Sequence, residues 1–277
     1  MKILSENVIT SRNNAFVKYA SSLSDKKYRA REQAFIAEGE KLTLEALKSG
    51  LPITHIAVRE DVKDRILVRL SDYLSDKKFD QTEIIFLSET AFEKISTEKA
   101  PEGVISIIKH LDFFKDSYII YKEEFFLSAD ERALLLCSVR DPSNLGSVIR
   151  SAAAFGVDHI VLSSDCAEIY NPRTVRSAMG SLFKLKVTRV GDLSSFINAA
   201  IENGRRVFAA ELREGAVSVK DIDLRRSDIF MIGNEGHGIP EEISSECSGS
   251  VYIPISESIE SLNASVAAAV FMWEQNK

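Results

Sequence analysis

The sequence predicts an α/β fold in two successive parts, each built on a mainly parallel sheet with flanking helices. Two observations carry this. Short apolar runs alternate with segments whose apolar residues recur at helical spacing, and residues 111–130 interrupt the alternation with mixed aromatic and charged residues and no clear turn chemistry. The expected organisation is therefore a smaller amino-terminal domain over 1–112, a linker over 113–130 and a larger domain over 131–277.

In the first part, Ala15, Phe16, Tyr19, Ala20 and Leu23 follow helical spacing over 14–23, and Lys26-Lys27-Tyr28-Arg29 follows as a charged connection. Leu42, Leu44, Ala46 and Leu47 predict a helix over 38–49, which Gly50 stops. A strand over 53–58, a helix over 61–74, a strand over 83–87, a short helix over 89–95 and a strand over 104–108 complete it. The second part reads strand 133–139, helix 145–155, strand 159–162, helix 172–179, strand 185–190 and helix 193–202. Strands over 206–210, 229–232 and 250–253 follow, and a helix over 262–273 closes the chain.

With 277 residues, 45% of them hydrophobic, the chain can bury a substantial core. No run approaches the roughly 20 apolar residues that span a bilayer, and the start lacks the apolar block of a secretory signal, so a cytoplasmic protein without a membrane partner is expected. The cysteines Cys137, Cys166 and Cys247 are scattered and lack clustered histidines, which indicates neither a disulfide framework nor a metal site. Net charge is −6, yet residues 1–31 hold seven basic groups against Glu6 and Asp25. Residues 1–112 balance at 18 basic and 18 acidic groups, so the whole deficit lies beyond them. A basic amino-terminal arm on an acidic protein is suited to a polyanionic partner, or is a solvated helix face.

Three polar stretches follow apolar strands. In "VRDPSNLGSVIRSAAAFG", Asp141-Pro142-Ser143 makes a turn, Asn144 stands where a helix cap belongs, and Arg150 sits among small apolar residues. That guanidinium either reaches water or is aimed at an anion or a neighbouring subunit. In "FMIGNEGHGIP", Gly233, Gly236 and Gly238 permit close backbone approach, and Glu235 can hold the loop or accept from a ligand hydroxyl. In "SLNAS", Ser261 can cap a helix beginning near Leu262, and Asn263 can do so if the start slips. In a parallel sheet such loops gather at one edge. Amide, hydroxyl and guanidinium groups assembled there suit group transfer from an activated donor. Neither of the glycine-rich fingerprints for dinucleotides or triphosphates is present.

"DPSNLGSVIRSAAAFG", "MIGNEGHGI" and "IPISESIESLNASVAAAVFMWE" resemble, in order and spacing, the three motifs of the SpoU (TrmH-like) RNA ribose 2′-O-methyltransferases of the SPOUT superfamily. "NPRTVRSAMGSLFKLKV" between them also resembles the family, and "FIAEGEKLTLEALKSG" is similar to its amino-terminal RNA-binding domain. The resemblance implies a deep trefoil knot in the carboxyl-terminal domain, a homodimer, and S-adenosylmethionine held largely by backbone at Gly233, Ile253 and Leu262. It implies a catalytic set of Asn144, Arg150, Glu235, Ser261 and Asn263, with Arg150 serving the neighbouring protomer's site. The resemblance implies, from what is proposed for the family, that proton removal from the ribose hydroxyl falls to Arg150. A guanidinium is a poor base unless strongly desolvated, so binding the adjacent phosphate and stabilising the forming alkoxide is the alternative. One departure is Ser256-Glu257-Ser258, where many members carry a glycine soon after the proline. Ribosomal RNA is the favoured substrate; transfer RNA and a non-catalytic RNA-binding or ribosome-assembly protein are the alternatives.

Overall fold

The computed structural model describes residues 2–3, 7–111, 127–128 and 131–277. The linker expected over 113–130 lies outside these apart from Leu127 and Ser128. The chain forms two compact units, one of residues 1–111 with 170–183, the other of 112–169 with 184–277.

The first unit contains β1 (Lys2–Ile3), α1 (Ala15–Ser22), α2 (Lys26–Glu32), β2 (Ala34–Glu38), α3 (Glu40–Lys48) and β3 (Ile53–Arg59). It continues through α4 (Lys63–Leu74), β4 (Glu83–Leu87), α5 (Glu89–Ile95) and β5 (Val104–Lys109). Its sheet, in the order β1-β4-β3-β5-β2, is mixed, because β5 runs antiparallel to both β3 and β2. The sequence expectation of a mainly parallel sheet is corrected here: the additional edge strand β2 pairs with β5 alone, and both pairings of β5, with β2 and with β3, are antiparallel. Helix α2 replaces the expected charged connection. Asp25 caps it by accepting from the Lys27 N–H, and the buried Arg29 guanidinium donates to the carbonyls of Leu23 and Ser24. Val17, Ala20, Ile36, Ala57, Phe92 and Ile107 meet in its core.

The second unit begins with β6 (Ala133–Leu136), α6 (Pro142–Ala154) and β7 (His159–Leu162). The chain then passes into the first unit, where α7 (Pro172–Ala178) packs on β2. It returns with β8 (Lys186–Arg189), α8 (Leu193–Glu202), β9 (Val207–Ala210), β10 (Val217–Ser218) and β11 (Ile229–Ile232). Helix α9 (Glu241–Ser244), β12 (Gly249–Tyr252) and α10 (Ala264–Glu274) complete it. The seven strands, in the order β10-β12-β9-β11-β6-β7-β8, are all parallel. Runs such as Leu134-Leu135-Leu136 and Phe230-Met231-Ile232 are buried on both faces, as the central strands of a covered parallel sheet must be. Because β6 and β11 are neighbours, the loops after them emerge side by side at the carboxyl edge.

Candidate active site

Helix α6 starts one residue after Asp141, whose carboxylate accepts from the Asn144 N–H at 2.8 Å; Pro142 fills the first turn. Asp141, and not Asn144, is therefore the cap. Freed from that duty, the Asn144 side chain faces outward from the first turn, where its Nδ2 donates to Glu235 Oε1 and its Oδ1 accepts from Asn263 Nδ2 at 3.0 Å. Asn263 is the cap of α10, accepting from the N–H of Ser265 at 2.9 Å and from its hydroxyl at 2.6 Å. Ser261 does not cap; it stands before the helix on the wall of a cavity.

The loop after β11 is closed on itself. Asn234 and Gly238 exchange backbone hydrogen bonds of 3.1 and 2.9 Å, and Asn234 Oδ1 accepts from the N–H of Gly236 and of His237. Its Nδ2 donates to the Ser138 carbonyl at 2.9 Å, tying the glycine loop to the end of β6, where Ser138 takes a left-handed φ of 57°. A methyl group at Gly233 would lie 2.7 Å from the Gly238 carbonyl carbon, so only glycine fits the position. Sequence reasoning did not select Asn234, although an asparagine two residues before a glycine is the signal of such a turn. Nothing local in the sequence marks Ser138.

Beneath the loop lies a cavity of about 410 Å³. Gly233 and Glu235, Ile253, Ser261 and Leu262 line it, with Phe271 of α10. The backbone N–H groups of Gly233 and Leu262 meet no acceptor among the described residues. Two main-chain donors from residues of the lining, beside a wall of Ile232, Val251, Ile253 and Phe271, fit a ligand that is part apolar and recognised by main chain.

Arg150 is exposed on α6 and makes no hydrogen bond or ion pair among the described residues. Six residues beyond Asn144, it points about 120° away around the helix. Asn144, Glu235 and Asn263 are thus joined directly, Ser261, Gly233, Ile253 and Leu262 border the same cavity, and Arg150 stands apart from them. Cys137 and Cys247, whose thiols burial pushes up to about 11 and about 12, are unsuited to nucleophilic work. Among the described residues no His, Cys, Asp and Glu cluster is placed to hold a metal ion, and no helix is long and apolar enough to cross a membrane.

A parallel sheet carrying a main-chain-recognition cavity at its carboxyl edge, bounded by amides rather than by a metal or thiol, is the architecture of the SPOUT methyltransferases. The AdoMet-bound rRNA methyltransferase from Sinorhizobium meliloti superposes with a TM-score of 0.78 at 27% identity, covering 97% of each chain. Residues 131–273 match the SpoU rRNA methylase family, and residues 14–106 match the MRM3-like substrate binding domain. The chain is 31% identical over 265 residues to the 23S rRNA (guanosine(2553)-2′-O)-methyltransferase RlmP of Bacillus subtilis strain 168, covering 96% of this chain and 97% of that protein. It is 28% identical over 270 residues to the 23S rRNA (uridine(2479)-2′-O)-methyltransferase of Streptomyces viridochromogenes, covering 96% and 90%. This chain belongs to the SpoU rRNA methylase family.

Proposed function

We propose that the protein methylates a ribose 2′-hydroxyl of ribosomal RNA, using S-adenosylmethionine. The observation that carries this is the Asn144 amide, which joins the first turn of α6, the glycine loop and the cap of α10 beside a cavity with unpaired main-chain donors. Ribosomal RNA is supported by the substrates named for the Bacillus and Streptomyces relatives and by the substrate-binding match over 14–106.

Gly233, Ile253 and Leu262 would hold the cofactor, which when bound supplies an electrophilic methyl group. The chain's task is to place a weakly nucleophilic hydroxyl in line with that methyl and to stabilise the charge left as its proton departs. Ser261 and Asn263 orient the ribose, Asn144 fixes Asn263, and Glu235 fixes Asn144. A guanidinium is suited to holding anions, so Arg150 binds the adjacent phosphate and the forming alkoxide while the proton passes to water.

Arg150 acts in the site of a second copy. A homodimer is supported by α10, which buries Ala264, Ala268, Phe271 and Met272 on one face and leaves Val266 and Trp273 about half exposed on another. The knotted chain path is supported by the strand order, in which β11 lies between β9 and β6 while the later β12 pairs with β9 on the far side. A cytoplasmic location is supported by the ribosomal RNA named as substrate for the relatives.

The test is to map 2′-O-methyl groups across ribosomal and transfer RNA in a strain lacking the protein, complemented by wild type or by Asn144→Ala. A ribosomal site lost on deletion and restored by wild type alone is expected; a site lost from transfer RNA instead replaces the substrate named here.

A further inference from the structure

Helices α6 and α10 run side by side and parallel. At their starts Asn144 meets Asn263, and at their far ends the ring of Phe155, the C-cap of α6, lies edge-on to Trp273 in the last turn of α10 with centroids 6.1 Å apart. Between those far ends sits Arg132, the residue before β6, only 3% exposed. Its Nη1 donates to the Phe155 carbonyl at 2.6 Å and to Asn276 Oδ1, just past α10, at 3.0 Å.

This is a costly place for a guanidinium. Nε and Nη2 are buried without a partner among the described residues, and unpaired buried donors are unfavourable. An apolar side chain would fill the space without that cost. What arginine adds is one cation that reaches both helix ends, where the carbonyl ends of the two dipoles favour positive charge. The clamp is anchored to the sheet. The Arg132 N–H donates to Asp158 Oδ2 at 2.9 Å, and its carbonyl accepts from the N–H groups of Asp158 and His159 at 2.9 and 3.1 Å.

Among the described residues the near ends have no comparable fixture. One amide hydrogen bond at the surface joins Asn144 to Asn263, and the helices are rich in small residues, Gly146, Ala152 and Ala153 on one and Ala264, Ala267 and Ala268 on the other. Smooth surfaces resist sliding weakly. Displacement of one helix by a single residue rise, about 1.5 Å, would break that bond.

We propose that Arg132 is a positioning residue for methyl transfer: by tying the far ends of α6 and α10 to the start of β6, it sets the helix register that brings Asn144 and Asn263 together. The choice of Asn144 and Asn263 as the atoms to be positioned rests on the function proposed above; the coupling itself is geometric.

The test compares Arg132→Met, which keeps the bulk and removes the donors, with Arg132→Lys, which keeps a cationic donor on a long apolar stem. Methyl transfer to ribosomal RNA, S-adenosylmethionine binding by calorimetry and the emission of Trp273, the only tryptophan in the chain, are measured together. Arg132→Met is expected to lower kcat roughly tenfold while cofactor affinity and the KM for RNA stay within about threefold, and to shift the Trp273 emission. Arg132→Lys should restore both kcat and emission. An unchanged kcat in folded Arg132→Met overturns the proposal, as does a joint fall of kcat, cofactor affinity and stability that lysine does not rescue. Should Arg132→Met not fold, Asn276→Ala removes one acceptor at the exposed end of α10, and a kcat within error of wild type then overturns it. If the wild type transfers no methyl group, the functional reading fails, and the side-chain amide NMR signals of Asn144 and Asn263 decide the clamp: Arg132→Met must move them and Arg132→Lys must not.

Discussion

The Asn263 side-chain amide donates to that of Asn144 at 3.0 Å, joining two helix starts 119 residues apart in sequence. Because Asn144 also donates to Glu235, its amide is oriented at both ends, nitrogen toward the carboxylate and oxygen toward Asn263. Asn144→Asp would set a second carboxylate against Glu235 and remove that donor. Steady-state kinetics should show kcat falling by roughly 100-fold with cofactor affinity changed far less, since the cavity wall is untouched. Equal losses in both would mean that Asn144 shapes the cavity rather than the ribose side.

Gly233→Ala should act on the opposite side. Its methyl would press on Gly238 at 2.7 Å, which closes the loop, and on Ile239 Cγ1 at 2.7 Å, just after it. Overpacking of this kind costs about 1–3 kcal/mol, so thermal unfolding should move down and calorimetric cofactor affinity should drop at least roughly tenfold. Gly204→Ala is the control for a glycine with open space around it, although its φ of 80° carries strain of its own.

If the proposed homodimer forms, mixed dimers separate the two possible addresses of Arg150. One subunit carries Arg150→Ala and the other Asn144→Asp, each inactive alone. If Arg150 serves the neighbouring site, each mixed dimer keeps one complete site, and an equimolar mixture should regain about a quarter of wild-type activity. No recovery places Arg150 in its own subunit's site. In the same assay series, Arg150→Lys should leave the ionisation seen in the pH–rate profile where it is if the arginine acts as proposed above, and a shift would make it the base.

Burial holds the His159 imidazole down at about 4, from an ordinary 6.5, while its Nε2 shares a 2.7 Å hydrogen bond with Thr188 Oγ1. The unfolded chain therefore takes up the proton first. Stability due to this group is fully present above about pH 6.5, falls as pH drops, and is lost below about pH 4. At about 1.4 kcal/mol per pH unit, the window spans roughly 3 kcal/mol. Melting temperatures measured from pH 7 to pH 4 should fall more steeply in wild type than in His159→Gln; parallel curves would assign the acid sensitivity elsewhere.

Much of this architecture is legible in the residues. Strands β7 and β11 coincide with their apolar runs because a strand buried on both faces leaves an uninterrupted apolar signal. The three polar stretches were visible for the complementary reason, polar and glycine residues placed directly after such runs. Helix α2 was missed because KKYRARE has no apolar stripe, its one buried residue being an arginine. The α6 cap was misplaced by three residues because Pro142 reads equally well as a turn or as the first residue of a helix. Arg132 left no mark at all, since its role exists only where the ends of three elements separated in sequence converge.

Residues 170–183 carry a consequence for dissection of the protein. Tyr170 stacks on Phe35 with centroids 4.5 Å apart and on His110 at 4.2 Å, and its hydroxyl accepts from the Leu111 N–H at 3.0 Å. A fragment cut near residue 111 would lose this aromatic cover and α7 together, baring Phe35 of β2, the outermost strand of its sheet. An uncovered apolar edge strand invites self-association. Truncation of the amino-terminal portion should therefore yield aggregates unless a peptide spanning 170–183 is supplied in trans.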